Sequence, residues 1–418
     1  MTILGTKRNE RYYGRKVNMR KTIVLLIAVI MVFSVAPNAL AASDGQKTQI
    51  SGVKKTHNKS YKKGISDKIT ISPAYGRKVT LSVYNPYKKK WYVKRTYTTD
   101  NVKTDTIKIS YSSAWKARDA ATWKISAPKA TVKVDGKNMV LKSASVKTKT
   151  KNNITKAKAA VVMDAKTGQC VYAKNATSKR KIASMTKMMT MILLAEHKNL
   201  NDKVTINSEA IKARAMSGGM GLKSGDVVTV KDLMYCSMLP SANDAAAASA
   251  VAVSGSQAKF KKLMKKKAVS IQATDSTYKY AFGDWYGNAK STAFDQALIG
   301  REFMTNSKTD YLRKVAKTKT YSFTTLKKKK RYKVSYSYAG NLLVGKYGSV
   351  GIKTGYNPPA GRCFTNAWYH KGRLYISVVM GEPSGDRMWK DVKALTKMSN
   401  YLVDKGTEKM VVKYVRGK

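Results

Sequence analysis

The stretch 181–197, "KIASMTKMMTMILLAEH", decides the fold. Met185, Met188, Met189, Ile192 and Leu193 recur at i, i+3, i+4, i+7 and i+8, the spacing of one apolar helix face. Lys187 falls in the first turn of that helix, where the macrodipole prefers negative charge, three residues after Ser184. Residues three apart on a helix are neighbours, so hydroxyl and amine project from one turn at the edge of a buried stripe. Ser-x-x-Lys is common in so lysine-rich a chain: SGVK, SYKK, SAWK, SAPK, SKRK, SQAK and STYK also occur. Only SMTK opens a long amphipathic helix. A serine hydroxyl is a weak nucleophile until a base takes its proton. A lysine is that base only when desolvation or a second cation brings its pKa down to ~7–8. A placement that is poor for helix stability is thus the placement that makes Lys187 reactive.

Two further pieces follow in order. Ser241-Ala242-Asn243 lies in "MLPSANDAAAASA", between an apolar segment and an alanine-rich helix expected over Asp244 to Val253. Lys353-Thr354-Gly355 lies in "GSVGIKTGYNPPAGRC", on an expected strand near Gly348 to Ile352. A second KTG, Lys166-Thr167-Gly168, reads as the turn of a hairpin formed by "AAVVMDAKTGQCVYAKN". With another late strand at Leu374 to Met380 the order predicts an α+β domain, a sheet flanked by helices.

The ordered set S-x-x-K, S-x-N and K-T-G resembles that of the β-lactamase/transpeptidase superfamily. Within it the chain is most similar to the serine D-alanyl-D-alanine carboxypeptidases, the low-molecular-mass penicillin-binding proteins. The resemblance runs from about Ala157 to Leu402, through "MDAKTGQCVYAKN", "IASMTKMMT", "GLKSGDVVTVKDLMYCSMLPSANDAA", "STAFDQALIG", the KTG segment and "ISVVMGEPSGDRMWKD". It implies a secreted hydrolase that removes the terminal D-alanine of peptidoglycan stem peptides, with β-lactams as inhibitors. The implied catalytic residues are Ser184 as nucleophile, Lys187 as base, Ser241 as proton relay toward the leaving amine, and Asn243 and Lys353 beside them. The family fold brings Lys353 near Lys187. Backbone N–H groups of Ser184 and Tyr356 form the implied oxyanion hole. Lys353, Thr354, Gly355, Tyr356 and Arg387 are the implied contacts of the substrate and its free carboxylate. No cofactor or metal is implied. "YAFGDWYG" stands where the family has a His-Gly-Leu-like turn, and the likeness ends soon after Tyr401, so the family's C-terminal sandwich and amphipathic anchor are expected to be missing.

The rest of the chain frames this domain. Arg20-Lys21, an apolar run from Ile23 to Val35 and Ala39-Leu40-Ala41 read as a signal peptide over 1–42, too short for the ~20 residues that span a bilayer. Residues 43–65 are polar and read as linker. Across 66–150, Ile69–Ile71, Val79–Val83, Trp91–Val93, Ile107–Ile109, Trp123–Ile125 and Val132–Val134 alternate with period two, between turns such as Asn85-Pro86 and Asp135-Gly136. They predict a small all-β, immunoglobulin-like sandwich preceding the catalytic domain at 157–402, with a basic tail at 403–418.

Lys and Arg number 81 against 24 Asp and Glu in 418 residues, a formal net charge of +57. Inside a cell that would point to nucleic acid. Behind a signal peptide it points to anionic wall polymers or the membrane surface, and nucleic acid is not expected. Cys170, Cys236 and Cys363 are odd in number and scattered, as are His57, His197 and His370, which argues against a disulfide framework, a zinc site or a His-based triad. Two alternatives remain at this level. A β-lactamase would need a deacylating glutamate, and the only one between Asp244 and Lys353 is Glu302, in "GREFMTN". A non-catalytic wall-binding protein would not need the three motifs intact.

Overall fold

The computed structural model describes residues 45–58, 65–85, 89–111, 120–151, 153–283, 288–336 and 343–406. The expected signal segment (1–42), Pro86, residues 284–287 and residues 407–418 of the basic tail lie outside the described residues.

The described residues of 49–151 carry the strands β1 (Gln49–Ser51), β2 (Thr56–Asn58), β3 (Ile65–Ser72), β4 (Lys78–Asn85), β5 (Lys90–Thr98), β6 (Asp105–Tyr111), β7 (Ala120–Ala127), β8 (Ala130–Val134), β9 (Lys137–Leu141) and β10 (Ala144–Lys151). They form a three-stranded sheet, β1-β3-β6, a five-stranded sheet, β2-β10-β7-β4-β5, and the hairpin β8-β9. Alternate side chains of a strand face opposite ways. Ile69 and Ile71 of β3, Val79 and Leu81 of β4, Ile109 of β6 and Trp123 and Ile125 of β7 therefore meet in one core between the two sheets. Buried Asp67 is partnered there by His57 Nε2 at 2.9 Å and by the Tyr111 hydroxyl at 2.7 Å, as a carboxylate out of water requires. The stretch expected to be linker, 43–65, contributes two of these strands: β1 lies antiparallel to β3, and β2 parallel to β10. Backbone pairing at sheet edges holds these three-residue strands, so their side chains carry no apolar alternation to read.

The second region runs β11 (Ala159–Asp164), β12 (Cys170–Lys174), β13 (Arg180–Lys181), a 3₁₀ turn (Ala183–Thr186), α1 (Lys187–His197), β14 (Lys203–Thr205), α2 (Ser208–Ser217), β15 (Val227–Thr229), α3 (Val230–Met238), α4 (Asn243–Ser254) and α5 (Gln257–Ser270). It continues with β16 (Lys290–Ser291), α6 (Ala293–Thr305), α7 (Asp310–Lys317), β17 (Thr320–Thr324), β18 (Arg331–Ser335), β19 (Ser349–Asn357), β20 (Gly361–His370), β21 (Arg373–Glu382) and α8 (Gly385–Asp404). Its main sheet, ordered β12-β11-β21-β20-β19, is antiparallel throughout. Both faces are covered. Ala159, Val161 and Met163 of β11 join the core with α1, α4 and α6, while Ala160 and Val162 join the core under α8. A strand covered on both faces reads as an unbroken apolar run, and "AAVVMD" is buried at all six positions.

Helix α1 differs from its expected form in two ways. It begins at Lys187, with Ser184 in the preceding 3₁₀ turn, and every residue from Lys187 to Leu194 is buried. The apolar stripe was only part of its contact surface: Met191 and Leu194 are covered too, because α1 runs through the middle of the helical layer. The first KTG is a plain hairpin turn, with Gly168 at φ +69° and the Asp164 carboxylate accepting from the N–H groups of Lys166 (2.8 Å) and Thr167 (3.0 Å).

Candidate active site

The 3₁₀ turn carrying Ser184 is held from two sides by glycines. On one side β19 passes so close that a Cβ on Gly355 would lie 2.7 Å from the Ile182 carbonyl oxygen and 3.0 Å from the Met185 nitrogen. On the other, a Cβ on Gly283 would lie 2.5 Å from the Ala183 carbonyl oxygen and 3.3 Å from the Ser184 nitrogen. Ala183, just before the serine, has φ +47°, and Ser241 has φ +64°. Both occupy the left-handed region that non-glycine residues avoid, at a cost of about 1–3 kcal/mol each that the surrounding packing must offset.

Lys187 is fully buried, and its amine lies within hydrogen-bond distance of three oxygens: Ser184 Oγ at 3.0 Å, Asn243 Oδ1 at 2.7 Å and the Phe282 carbonyl at 2.8 Å. Burial pushes its pKa well below the ordinary lysine value, the Lys353 cation lowers it further, and Asp244 opposes the shift. A neutral amine has two N–H bonds and one lone pair. The two carbonyl oxygens can only accept, so they take both N–H bonds, and the lone pair is left facing the Ser184 hydroxyl. This arrangement is what a base for that hydroxyl requires.

Lys353, two strand positions before Gly355, is also buried, and burial lowers its pKa to about 7. Asn243 opens α4, and Ser241 sits two residues before it with a buried hydroxyl that has no hydrogen-bond partner among the described residues. Tyr356 is exposed at the end of the motif, its ring covered by the Arg362 guanidinium at 3.9 Å from the centroid. The structure thus brings Ser184, Lys187, Asn243, Lys353, Thr354, Gly355 and Tyr356 around one turn of chain. The Arg387 guanidinium pairs with Asp391 of α8 at 3.0 Å, beside the buried Glu382 carboxyl.

Three contributions escaped the sequence reading, the first of them from the backbone of a loop that it marks only as a departure from the family. The 280–283 segment supplies the Phe282 carbonyl and the Gly283 approach. It is fixed by the Thr190 hydroxyl, which donates to the Ala281 carbonyl, and by Gln257 Oε1, which accepts from the Ala281 N–H at 3.1 Å. Asp244, directly after the S-x-N motif, accepts from the N–H groups of Met220 (3.1 Å), Gly221 (3.2 Å), Leu222 (3.3 Å) and Ala245 (2.9 Å), which ties the loop after α2 to the start of α4. Arg362 is the third, its guanidinium lying over the Tyr356 ring. Among the described residues no group of three or more His, Cys, Asp or Glu could hold a metal ion, and no helix is long and apolar enough to cross a membrane.

Comparison with known proteins finds likenesses across the region that carries this site. A family profile described as D-alanyl-D-alanine carboxypeptidase matches residues 145–384. The D-alanyl-D-alanine carboxypeptidase DacF of Bacillus subtilis is 31% identical over 271 residues, 61% of this chain and 62% of its own length. The D-alanyl-D-alanine carboxypeptidase of Streptomyces sp. (strain K15) is 33% identical over 248 residues, 56% of this chain and 83% of its own. The crystal structure of the Streptomyces DD-transpeptidase superposes with a TM-score of 0.54 at 29% identity, covering 59% of this chain and 98% of that one. The chain thus spans about three-fifths of the length of DacF.

Proposed function

The chain belongs to the D-alanyl-D-alanine carboxypeptidase family, and from that premise we propose that it removes the terminal D-alanine of peptidoglycan stem peptides through an acyl-enzyme on Ser184. The observation that carries the reading is the buried Lys187 amine, held by two carbonyl oxygens with its third direction on the Ser184 hydroxyl.

In the proposed reaction Lys187 takes the hydroxyl proton as Ser184 Oγ attacks the carbonyl carbon of the D-Ala-D-Ala bond. The oxyanion is stabilised by the backbone N–H groups of Ser184 and Tyr356, where losing one donor typically costs ~10²–10³ in rate. When the C–N bond breaks, the proton passes through Ser241 to the departing amine. Water then releases the acyl group, Lys187 again serving as base. Lys353 and Thr354 hold the free carboxylate, a task suited to a cation and a hydroxyl donor. Arg387, which pairs with Asp391 through Nη2, has further N–H donors and is the remaining candidate for that carboxylate. A β-lactam acylates the same serine and is released slowly, since Glu302 is bound to Lys267 (2.7 Å) and Asn306 (2.7 Å) and is not a deacylating base.

The same proposal places the protein outside the cell, with 1–42 as signal peptide and the β-rich region, 66–150, as an immunoglobulin-like spacer in front of the catalytic domain, 157–402. A second reading, transfer of the acyl group to an amine instead of water, is supported by the likeness to a DD-transpeptidase along nearly all of that protein's length.

The test is mass spectrometry of a D-Ala-D-Ala peptide incubated with the protein, alone and with an added amine acceptor, alongside labelling by a fluorescent penicillin. Loss of one alanine and a label abolished by Ser184→Ala are expected. A ligated product would favour transfer, and an unlabelled, unreactive wild-type protein would refute both.

A further inference from the structure

The five-stranded sheet β2-β10-β7-β4-β5 turns one face to the core and the other outward. Its five strands contain eight basic residues, Lys78, Lys90, Lys94, Arg95, Lys124, Lys147, Lys149 and Lys151, and no Asp or Glu. On the outward face Tyr84 pairs with Trp91, and their rings lie 5.2 Å apart. The Lys124 amine sits 4.8 Å from the Trp91 ring centroid and the Lys147 amine 5.9 Å. Lys124 and Lys147 are also directly opposed across β7 and β10. Like charges directly opposite destabilise a sheet, and among the described residues no carboxylate pairs with either lysine. Here one indole gathers two ammonium groups by cation–π attraction. Lys147, Lys149 and Lys151 continue the row along β10 at every second residue, roughly 6.8 Å apart at ~3.4 Å rise per residue.

We propose that this sheet face is a docking surface for a linear polyol-phosphate polymer of the cell wall, a chain of regularly repeated phosphodiester charges. The proposal deepens, and rests on, the placement of the protein at a wall. An evenly spaced row of cations without interleaved carboxylates is complementary to evenly spaced anions. The Trp91 ring distinguishes the occupant. Neutral glycans and single-stranded nucleic acids would use it as a stacking platform, but its face is taken by two ammonium groups, so it serves to orient charge.

The test uses the full chain and measures binding to poly(glycerol phosphate) at several salt concentrations, with single-stranded oligonucleotide and uncharged peptidoglycan glycan as comparison ligands. Lys124→Gln/Lys147→Gln is expected to weaken polymer binding roughly 30-fold, on the order of fivefold per ammonium removed near a charged surface, and to flatten its salt dependence. Lys261→Gln/Lys265→Gln, on the exposed side of α5, removes the same charge and is expected to change affinity less than twofold. Unchanged melting and penicillin labelling of each double variant would establish that the fold is kept. Equal losses in both variants, or equal or tighter binding of oligonucleotide or glycan, would overturn the proposal. Failure of the wild type to label with penicillin would refute the peptidase reading while leaving polymer binding to be decided by its own measurement.

Discussion

Replacing Gly355 by alanine tests whether the approach of β19 to the Ser184 turn sets the reactive geometry. The added methyl would lie 2.7 Å from the Ile182 carbonyl oxygen, 3.0 Å from the Met185 nitrogen and 3.1 Å from Met185 Cγ. The first two are backbone atoms on either side of Ser184, so no side-chain rotation relieves the clash. Carbon and carbonyl oxygen rest at about 3.3 Å or more, so strand and turn must part by roughly 0.6 Å. A misplacement of about 1 Å costs on the order of 10² in rate. On a logarithmic scale the shift therefore lowers acylation roughly 10- to 20-fold, with about 1–3 kcal/mol of overpacking. The assay is the second-order rate of labelling by a fluorescent penicillin, well below the melting temperature of the variant. Gly385→Ala, at the start of α8 where the nearest atom to a new Cβ is 4.0 Å away, is the control and should melt no lower than wild type. A Gly355→Ala protein that acylates within twofold of wild type would refute the argument.

Other expectations follow from the charges. Because Lys187 must be neutral to accept a proton and Lys353 must be charged to hold a carboxylate, acylation should rise with pH through the lowered pKa of Lys187, stop rising well below 10.5, where an ordinary lysine titrates, and fall once Lys353, lowered to about 7, gives up its proton. A rate still climbing at that pH would rule it out as the base. Lys187→Met should slow penicillin labelling by about 10²–10⁴. Asp244→Asn replaces an acceptor-only group facing four N–H donors by one carrying its own N–H₂, and should cost on the order of 3 kcal/mol in thermal or urea unfolding. Burial and the neighbouring Asp391 raise Glu382 from 4.5 to about 8, so between those values the folded state holds a proton that the unfolded state has lost. Its stabilising contribution is complete below about 4.5, falls as pH rises and is gone above about 8. Glu382→Gln should flatten that part of the stability–pH curve, as read by urea midpoints across the window.

What could be read from the sequence divides along a physical line. Ser184 and Lys187 are one turn apart, so their meeting is dictated locally, and an apolar helix after them was enough to single out this copy of the motif. That all of α1 would be buried was not legible, because Met191 and Leu194 are covered by helices distant in sequence. The two-faced β11 was readable as a continuous apolar run, whereas β1 and β2 were not, since edge strands held by backbone bonds impose no pattern on side chains. The deepest gap is in the site itself. The group that completes the Lys187 environment is the Phe282 carbonyl, and a backbone oxygen has no letter of its own. Its position depends on Gly283 tolerating φ +99° against the Ala183 carbonyl, 100 positions earlier in the chain. The sequence marks "YAFGDWYG" as a departure from the family's His-Gly-Leu-like turn, but what the site takes from the described part of that stretch is a carbonyl and a missing Cβ. A chain can therefore change the letters of this loop and keep the oxygen, provided a glycine remains where the turn carrying the serine must pass.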